Sequence, residues 1–162
     1  MKKALLVITI VLGLSAIVMA GVDFSGTWVL NAEKSDPMGR GGGGGGGARG
    51  GGAGAAELTI KQTGNVLVIS RMGMGGTPME TSYTMDGADQ SFSNQMGETK
   101  YKAVISGNTV NITGTQPGRG GEPAPMKISY TLSDDGKMLT MATTRVGGDG
   151  TETVRKQVYD KK

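Results

Sequence analysis

The chain has 162 residues, with 17 Lys and Arg against 14 Asp and Glu, and it contains no Cys and no His. These two absences exclude Ser-His-Asp and Cys-His nucleophile systems, histidine acid–base chemistry, disulfides and nearly all zinc sites. No pair of Asp or Glu stands apart from turn positions. The sequence therefore predicts a protein that is not an enzyme, with no catalytic residue, no metal site and no cofactor.

Residues 1–20 have the organisation of a secretory signal peptide. Two lysines precede an apolar run from Ala4 to Val18, and the run leads to the small residue Ala20. This pattern predicts cleavage after Ala20 and an exported chain, either periplasmic or extracellular. The alternative is an uncleaved membrane anchor, but the apolar run is shorter than the roughly 20 residues that a spanning helix needs.

The exported chain is close to neutral. Removing two of the 17 basic residues with the signal peptide leaves 15 basic against 14 acidic residues. This balance gives no electrostatic reason to expect a nucleic-acid partner. No Cys follows the apolar run, which excludes a lipid anchor. We expect a monomer without stable membrane insertion.

A glycine-rich segment interrupts the chain after its first apolar stretch. Twelve of the sixteen residues from Gly39 to Gly54 are glycine. Such a segment buries nothing, so the sequence predicts a disordered insertion at about residues 37–56 of a single domain that spans residues 21–162. Arg40 and Arg49 also give the segment the composition of disordered RNA-binding regions. Two arginines without an aromatic residue favour a plain flexible insertion.

The stretch from Val22 to Asn31 alternates apolar and polar side chains and holds the only Trp of the chain. A period of two is typical of a half-buried β-strand. Gly26 stands two residues before Trp28, which suggests a close approach of the backbone where a first strand seals a barrel end. We therefore expect Trp28 to be buried at one end of a barrel.

The chain from Glu57 onward repeats short alternating runs separated by Gly- and Asp-containing turns. The clearest run carries Met126, Ile128, Tyr130 and Leu132. About ten short strands with tight connections predict an all-β fold, an antiparallel up-and-down barrel of eight to ten strands. Barrel closure removes unpaired edges. An open sandwich is the alternative, although sandwiches usually need some long crossings.

Both ends of the exported chain resemble the lipocalins and fatty-acid-binding proteins. Gly26-Thr27-Trp28 is similar to the Gly-x-Trp signature on their first strand, and the run from Val154 to Lys161 is similar to the last strand of fatty-acid-binding proteins. The resemblance implies a lipocalin-like barrel that carries a small apolar or amphipathic molecule. Two departures are present, because Gln157 stands where those proteins place a carboxylate-binding Arg and the glycine-rich segment replaces their helical lid.

This resemblance also implies a set of ligand-binding residues. The last strand places Arg155 on the same face as Tyr159, since residues of equal parity share a face. Arg155 is the candidate for an anionic head group, and its alternative role is structural, because a basic residue on the last strand of lipocalins packs over the motif Trp. The candidate ligand-binding residues are Trp28, Tyr83, Met85, Phe92, Tyr130, Met141, Arg155 and Tyr159.

Two other functions compete with a lipocalin-like carrier. Thioethers bind Cu(I), and Met72-Gly73-Met74 has the spacing of a soft-metal site, although methionines more often fill irregular cores. The third hypothesis is a structural or interaction domain without a small ligand. A barrel interior filled completely by side chains would favour that last hypothesis.

Overall fold

The computed structural model describes residues 22–37, 55–73, 76–94, 97–118, 122–146 and 150–162. The predicted signal peptide, its cleavage site and residues 38–54 of the glycine-rich segment lie outside the described residues. All secondary-structure elements of the described part are strands: β1 (Gly26–Asn31), β2 (Glu57–Thr63), β3 (Val66–Met72), β4 (Pro78–Thr84), β5 (Asp86–Asn94), β6 (Gly97–Ser106), β7 (Thr109–Pro117), β8 (Pro123–Leu132), β9 (Met138–Val146) and β10 (Glu152–Lys161). The described residues include no helix long and apolar enough to cross a bilayer.

The ten strands form one antiparallel meander in the order β4-β3-β2-β1-β10-β9-β8-β7-β6-β5. Strands that follow each other in sequence pair with each other, except β4 and β5, which share no ladder among the described residues. β1 also pairs with β10, where Trp28 lies opposite Lys161. The predicted all-β meander barrel is therefore confirmed. Its strand number is the upper limit of the predicted range.

Closure of the barrel is incomplete, which corrects the expectation that no edge stays unpaired. β4 and β5 are the two ends of the sheet order and share no ladder among the described residues. A register shift between Asp86 and Asp89 marks the start of β5, and Gly87 has a φ of 73°. Such an irregularity is typical of β-bulges, which are frequent at the edges of sheets and at barrel rims. The barrel is thus nearly closed, with one lateral gap.

The two ends of the barrel differ in their connections. At one end β2–β3, β6–β7 and β8–β9 are joined by tight turns, and the predicted turn glycines Gly64, Gly107 and Gly136 have φ values of 58°, 57° and 67°. At the other end β1, β3, β5, β7 and β9 finish, and the strands that follow them begin. We call the first the hairpin end and the second the rim.

Trp28 is fully buried near the hairpin end, as predicted. The strand begins at Gly26 rather than at Val22, but Phe24 is also fully buried, and the Trp28 Nε1–H donates a 3.1 Å hydrogen bond to the Phe24 carbonyl. Gly26 has a φ of 148°, and a Cβ there would lie 2.8 Å from Cε of Lys161. The close approach inferred from the sequence is therefore confirmed.

The cation over the Trp28 ring is Lys161, not Arg155. Nζ of Lys161 lies 5.2 Å from the ring centroid. The register explains the difference, because Lys161 is the direct cross-strand partner of Trp28, whereas Arg155 pairs with Thr143 on β9. The structural role predicted for Arg155 against Trp28 was wrong, and this leaves Arg155 available to the barrel interior.

Side chains fill the half of the barrel nearest the hairpin end. Seven apolar side chains there are at most 1% exposed: Phe24, Trp28, Ile60, Leu67, Val110, Ile112 and Leu139. Six of them lie on strands and alternate with residues of the outer face, as expected for a barrel core. We call this part the hairpin half, and the part between it and the rim the rim half.

A candidate ligand cavity in the rim half

The barrel interior holds a cavity in the rim half. About 90 Å³ is open there to the centre of a water molecule. The interior is therefore neither solidly filled nor as spacious as the roughly 300–1,000 Å³ pockets of drug-sized ligands. The side chains around the cavity are Ile69, Arg71, Met79, Thr81, Tyr83, Phe92, Thr99, Gln116, Pro117, Met126, Ile128, Tyr130 and Met141.

Most of the lining is apolar or aromatic, with a few polar groups toward the rim. Ile69, Ile128 and Met141 form apolar walls from β3, β8 and β9. Thr81, Thr99 and Gln116 add hydroxyl and amide groups, and no Asp or Glu of the described residues lines the cavity. This is the usual composition of a site for a small amphipathic molecule.

Aromatic side chains bridge the lateral gap beside the cavity. The Tyr83 ring of β4 lies edge-on to Tyr101 of β6, with ring centroids 5.2 Å apart, and 6.4 Å from the Phe92 ring of β5. The Tyr101 hydroxyl accepts a 3.2 Å hydrogen bond from the backbone N–H of Thr84. Side chains thus replace the backbone ladder that β4 and β5 do not form.

Arg71 is the cation of the cavity. It alternates along β3 with Leu67 and Ile69, so its side chain enters the barrel, where it is only partly buried. The four ion pairs of the described residues all involve lysines, and the Arg71 guanidinium donates no hydrogen bond to a described residue. Arg71 therefore brings a positive charge inside the barrel that no described carboxylate balances.

A group of unpartnered polar atoms adjoins the cavity on β9 and β10. They are Thr143 Oγ1, Arg155 Nε and Nη2, Gln157 Nε2 and the Tyr159 hydroxyl. Gln157 is 2% exposed, and Tyr159 is fully buried. Buried polar groups normally find partners, and each one that does not costs about 1–3 kcal/mol. We call these four residues the polar cluster.

The register joins the polar cluster to the cavity. Thr143 pairs with both Arg155 on β10 and the cavity residue Ile128 on β8. Met141, which also lines the cavity, is the cross-strand partner of Gln157. Residues of the cluster are therefore direct cross-strand partners of cavity residues, and the cluster offers hydrogen-bonding atoms to a molecule in the interior.

Three buried tyrosines report the electrostatics of the interior. Desolvation raises the pKa of Tyr83 to about 12, against a smaller lowering by the Arg71 guanidinium. Desolvation also raises the pKa of Tyr159 to about 12, and both Arg71 and Arg155 oppose it. The pKa of Tyr130 is raised for the same reason, again opposed by Arg71. Arg71 thus acts on three hydroxyls, and both arginines act on that of Tyr159.

The structure brings half of the predicted ligand residues together. Tyr83, Phe92, Tyr130 and Met141 line the cavity. Arg155 and Tyr159 belong to the adjoining polar cluster. Trp28 and Met85 are buried in the core and do not line the cavity.

Sequence reasoning missed Arg71, the cation that lines the cavity. The alternation of Leu67, Ile69 and Arg71 along β3 could have placed it inside the barrel. The sequence around these residues does not show which face of β3 is inward, because the other face carries the apolar residues Val66 and Val68. Met126 and Ile128 were assigned to an inward face but not to the ligand site.

The described residues do not support the soft-metal hypothesis further. Met72 is 61% exposed at the end of β3, and Met74 lies outside the described residues. No three His, Cys, Asp or Glu residues of the described part are grouped as a metal site would require. Binding of Cu(I) stays an untested hypothesis.

No protein-family model matches the chain, and a search of curated proteins finds no match either. Among solved structures, the REP1-NXSQ fatty acid transporter is 14% identical, with a TM-score of 0.52 over 86% of this chain and 96% of that chain. Secretory abundant heat soluble protein 4 from Ramazzottius varieornatus is 15% identical, with a TM-score of 0.52 over 88% of this chain and 96% of that chain. Zebrafish ileal bile acid-binding protein complexed with cholic acid is 16% identical, with a TM-score of 0.49 over 65% of this chain and 72% of that chain.

These likenesses concern the fold. The chain shares a nearly closed antiparallel barrel fold with these structures, as the resemblance of its first and last strands predicted. At identities of 14–16%, ligands do not transfer with the architecture.

Proposed function

We propose that the protein binds a small amphipathic molecule inside the barrel and carries out no catalysis. The polar group of the ligand lies between Arg71 and the polar cluster, and its apolar part lies along Ile69, Ile128 and Met141. The observation that carries the proposal is the cavity itself, where an apolar lining surrounds an arginine that no described carboxylate pairs. The similar solved structures include a protein named as a fatty acid transporter, which agrees with an apolar ligand.

The charge of the interior favours an anionic polar group. A guanidinium that lies in a low-dielectric space without a counter-ion attracts an anion strongly, and Arg binds carboxylates in a bidentate geometry. The Tyr159 hydroxyl and the Gln157 amide can donate further hydrogen bonds to the same group. Arg71 therefore takes the role that Gln157 cannot fill on the last strand.

The absence of catalysis follows from the chemistry available. The chain has no His and no Cys, and within the described part of the chain no carboxylate lines the cavity. General acid–base catalysis at neutral pH relies on such groups. The tyrosines of the interior have raised pKa values and stay protonated, so they serve as hydrogen-bond donors.

A matched set of eight-carbon ligands tests the proposal. Octanoate, octanol and octylammonium have the same tail and differ in the charge of the polar group. By isothermal titration calorimetry we expect octanoate to bind at least about tenfold more tightly than octylammonium, with octanol between them. Native mass spectrometry of protein purified from its own host then identifies any molecule that co-purifies.

Variants in which a cation is replaced by a neutral residue distinguish octanoate binding inside the barrel from its attraction to surface charges. Arg71→Gln should weaken octanoate binding by about tenfold or more, and Arg155→Gln should weaken it less. Lys127→Gln is the control, because Lys127 is exposed on the outer face of β8 and should leave binding unchanged. Equal affinities for all three ligands, or loss of binding in the Lys127 variant alone, would refute an interior anion site.

Export is part of the proposal and has its own test. Residues 1–20 direct the chain out of the cytoplasm and are removed after Ala20, so the working protein begins at Gly21. Expression of the full chain in a bacterial host, followed by fractionation and intact-mass measurement, should find the mass of residues 21–162. A protein that retains residues 1–20 in the membrane fraction would support the anchor instead.

A further inference from the structure

We infer that the natural ligand is a compact anion whose apolar part has about six carbons or fewer, rather than a long-chain lipid. This inference rests on the proposed function and narrows its ligand class. It follows from three features of the interior: the size of the cavity, the position of its closed floor and the position of Arg71.

The cavity is too small for a long tail. An apolar cavity of about 150 Å³ takes up benzene with its six carbons. The space here is about 90 Å³, so it suits a group of a few heavy atoms. Protein interiors resist expansion because their side chains are close-packed. A tail of twelve or more carbons would therefore have to displace core side chains or extend out of the barrel.

The hairpin half closes the floor of the cavity. Trp28, Leu67 and Leu139 are fully buried there. Tyr130 and Tyr159, which are 5% and 0% exposed, stand between this packed region and the cavity. A ligand tail cannot extend toward the hairpin end without unpacking this region.

Arg71 places the polar group inside the cavity. It lines the cavity together with Tyr83 of β4 and Tyr130 of β8, so its side chain lies between the strands of opposite walls. A tail attached to a group bound at Arg71 runs toward the rim, past Met126 on β8 and Pro117 at the end of β7. Only a short tail stays enclosed along this path.

A chain-length series tests the inference on the unmodified protein. Calorimetry with butyrate, hexanoate, octanoate, decanoate and dodecanoate, below their micelle-forming concentrations, measures the gain per methylene. Each enclosed methylene should improve affinity by about fourfold. We expect this gain up to about six carbons and less than about threefold in total from octanoate to dodecanoate, because those methylenes lie in water.

Two variants should lengthen the tail at which the gain in affinity per methylene ends. Met126→Ala enlarges the cavity wall and should extend the fourfold gain to longer tails. Met79→Ala does the same at a partly exposed position, so it folds even if the first variant does not. Val104→Ala is the control, since Val104 lies on the outer face of β6. In this variant the gain in affinity should end at the same tail length as in the unmodified protein.

The outcomes separate this inference from the proposed function. A gain of about fourfold per methylene that continues to dodecanoate overturns the compact ligand but keeps the interior anion site. Both the interior anion site and the compact ligand are supported if octanoate binding depends on Arg71 and the gain in affinity per methylene ends near six carbons. Absence of binding by every member of the series overturns both.

Discussion

The two halves of the barrel are built from the same alternating strands but differ in the side chains that fill their interiors. In the hairpin half, large apolar side chains meet at the barrel axis and leave no exposed surface. In the rim half, the inward positions carry Arg71, Thr99, Gln116 and Arg155, and a cavity stays open between them. Of the six exposed large apolar side chains in the described residues, four lie at rim ends of strands, namely Met72, Met79, Val146 and Val154. The comparison shows that the fully buried apolar side chains are concentrated at one end of the barrel and the inward polar side chains at the other.

This division has a thermodynamic reason. Close-packed apolar side chains stabilise a fold, whereas polar groups without partners destabilise it by about 1–3 kcal/mol each. A small barrel keeps a polar interior only where another part supplies enough stability to tolerate it. Removing a buried apolar side chain from the hairpin half should therefore cost much stability, whereas removing an unpartnered polar group should increase it, and the following experiments test that contrast.

The largest effect is expected for Trp28→Ala in the hairpin half. The substitution removes a fully buried indole, its hydrogen bond to Phe24 and the contact with Lys161. Such truncations cost about 3–5 kcal/mol, so urea denaturation should show a large loss of unfolding free energy. Met79→Ala at the rim is the comparison, where a 43% exposed side chain should cost less than about 1 kcal/mol. Similar losses in the two variants would contradict the division.

Alkaline pH should weaken the fold through the buried tyrosines. The folded-state pKa of Tyr83 and of Tyr159 is about 12, above the unfolded value of 10.0, so the folded state retains protons that the unfolded chain releases. Their contribution is fully present below about pH 10 and is lost as the pH rises from about 10 to about 12. The loss approaches about 1.4 kcal/mol per pH unit for each tyrosine in that window.

Denaturant titrations at about pH 9 and about pH 11 measure this loss, and near-ultraviolet absorbance of tyrosinate follows the ionisation. We expect tyrosinate to form together with unfolding rather than before it. The Tyr159→Phe variant should show a shallower pH dependence. An unfolding free energy that is equal at both pH values would mean that the hydroxyls are accessible to water.

A smaller effect of opposite sign is expected for Gln157→Met in the polar cluster. Gln157 is 2% exposed, and its Nε2 has no hydrogen-bond partner. Met has a similar length without the polar amide, so the variant should be about 1–2 kcal/mol more stable in denaturant titrations. It should also bind octanoate more weakly. A variant that loses stability and keeps its affinity would show that the amide serves the fold and not the ligand.

How far the sequence reveals this arrangement depends on the kind of residue. Trp28 and Gly26 were placed correctly because strand alternation and the Gly-x-Trp pattern are local features. The strand count and the meander order followed from the spacing of the turns. Tyr83 and Tyr130 were assigned to the interior by the same alternation.

The candidate site is harder to predict from the sequence, because it depends on which residues of neighbouring strands lie opposite each other. The register across three strands decides that Arg155 lies beside Thr143 and Ile128 instead of Trp28. The lateral gap lies beside β5, whose irregular start alternation does not reveal. The volume of the cavity depends on the packing of all its side chains together, so no period in the sequence predicts it.

The smallest effect concerns the lateral gap itself. Tyr101→Phe keeps the ring that packs against Tyr83 and removes only the hydroxyl that accepts the Thr84 N–H. Loss of one such hydrogen bond costs about 0.5–1.5 kcal/mol. Since β4 has no strand partner on this side, amide hydrogen exchange at Thr84 should become faster, while amides inside the β2–β3 ladder keep their rates. Unchanged exchange at Thr84 would show that the side-chain bridge does not hold the gap closed, and the rim half would then owe its shape to the paired strands alone.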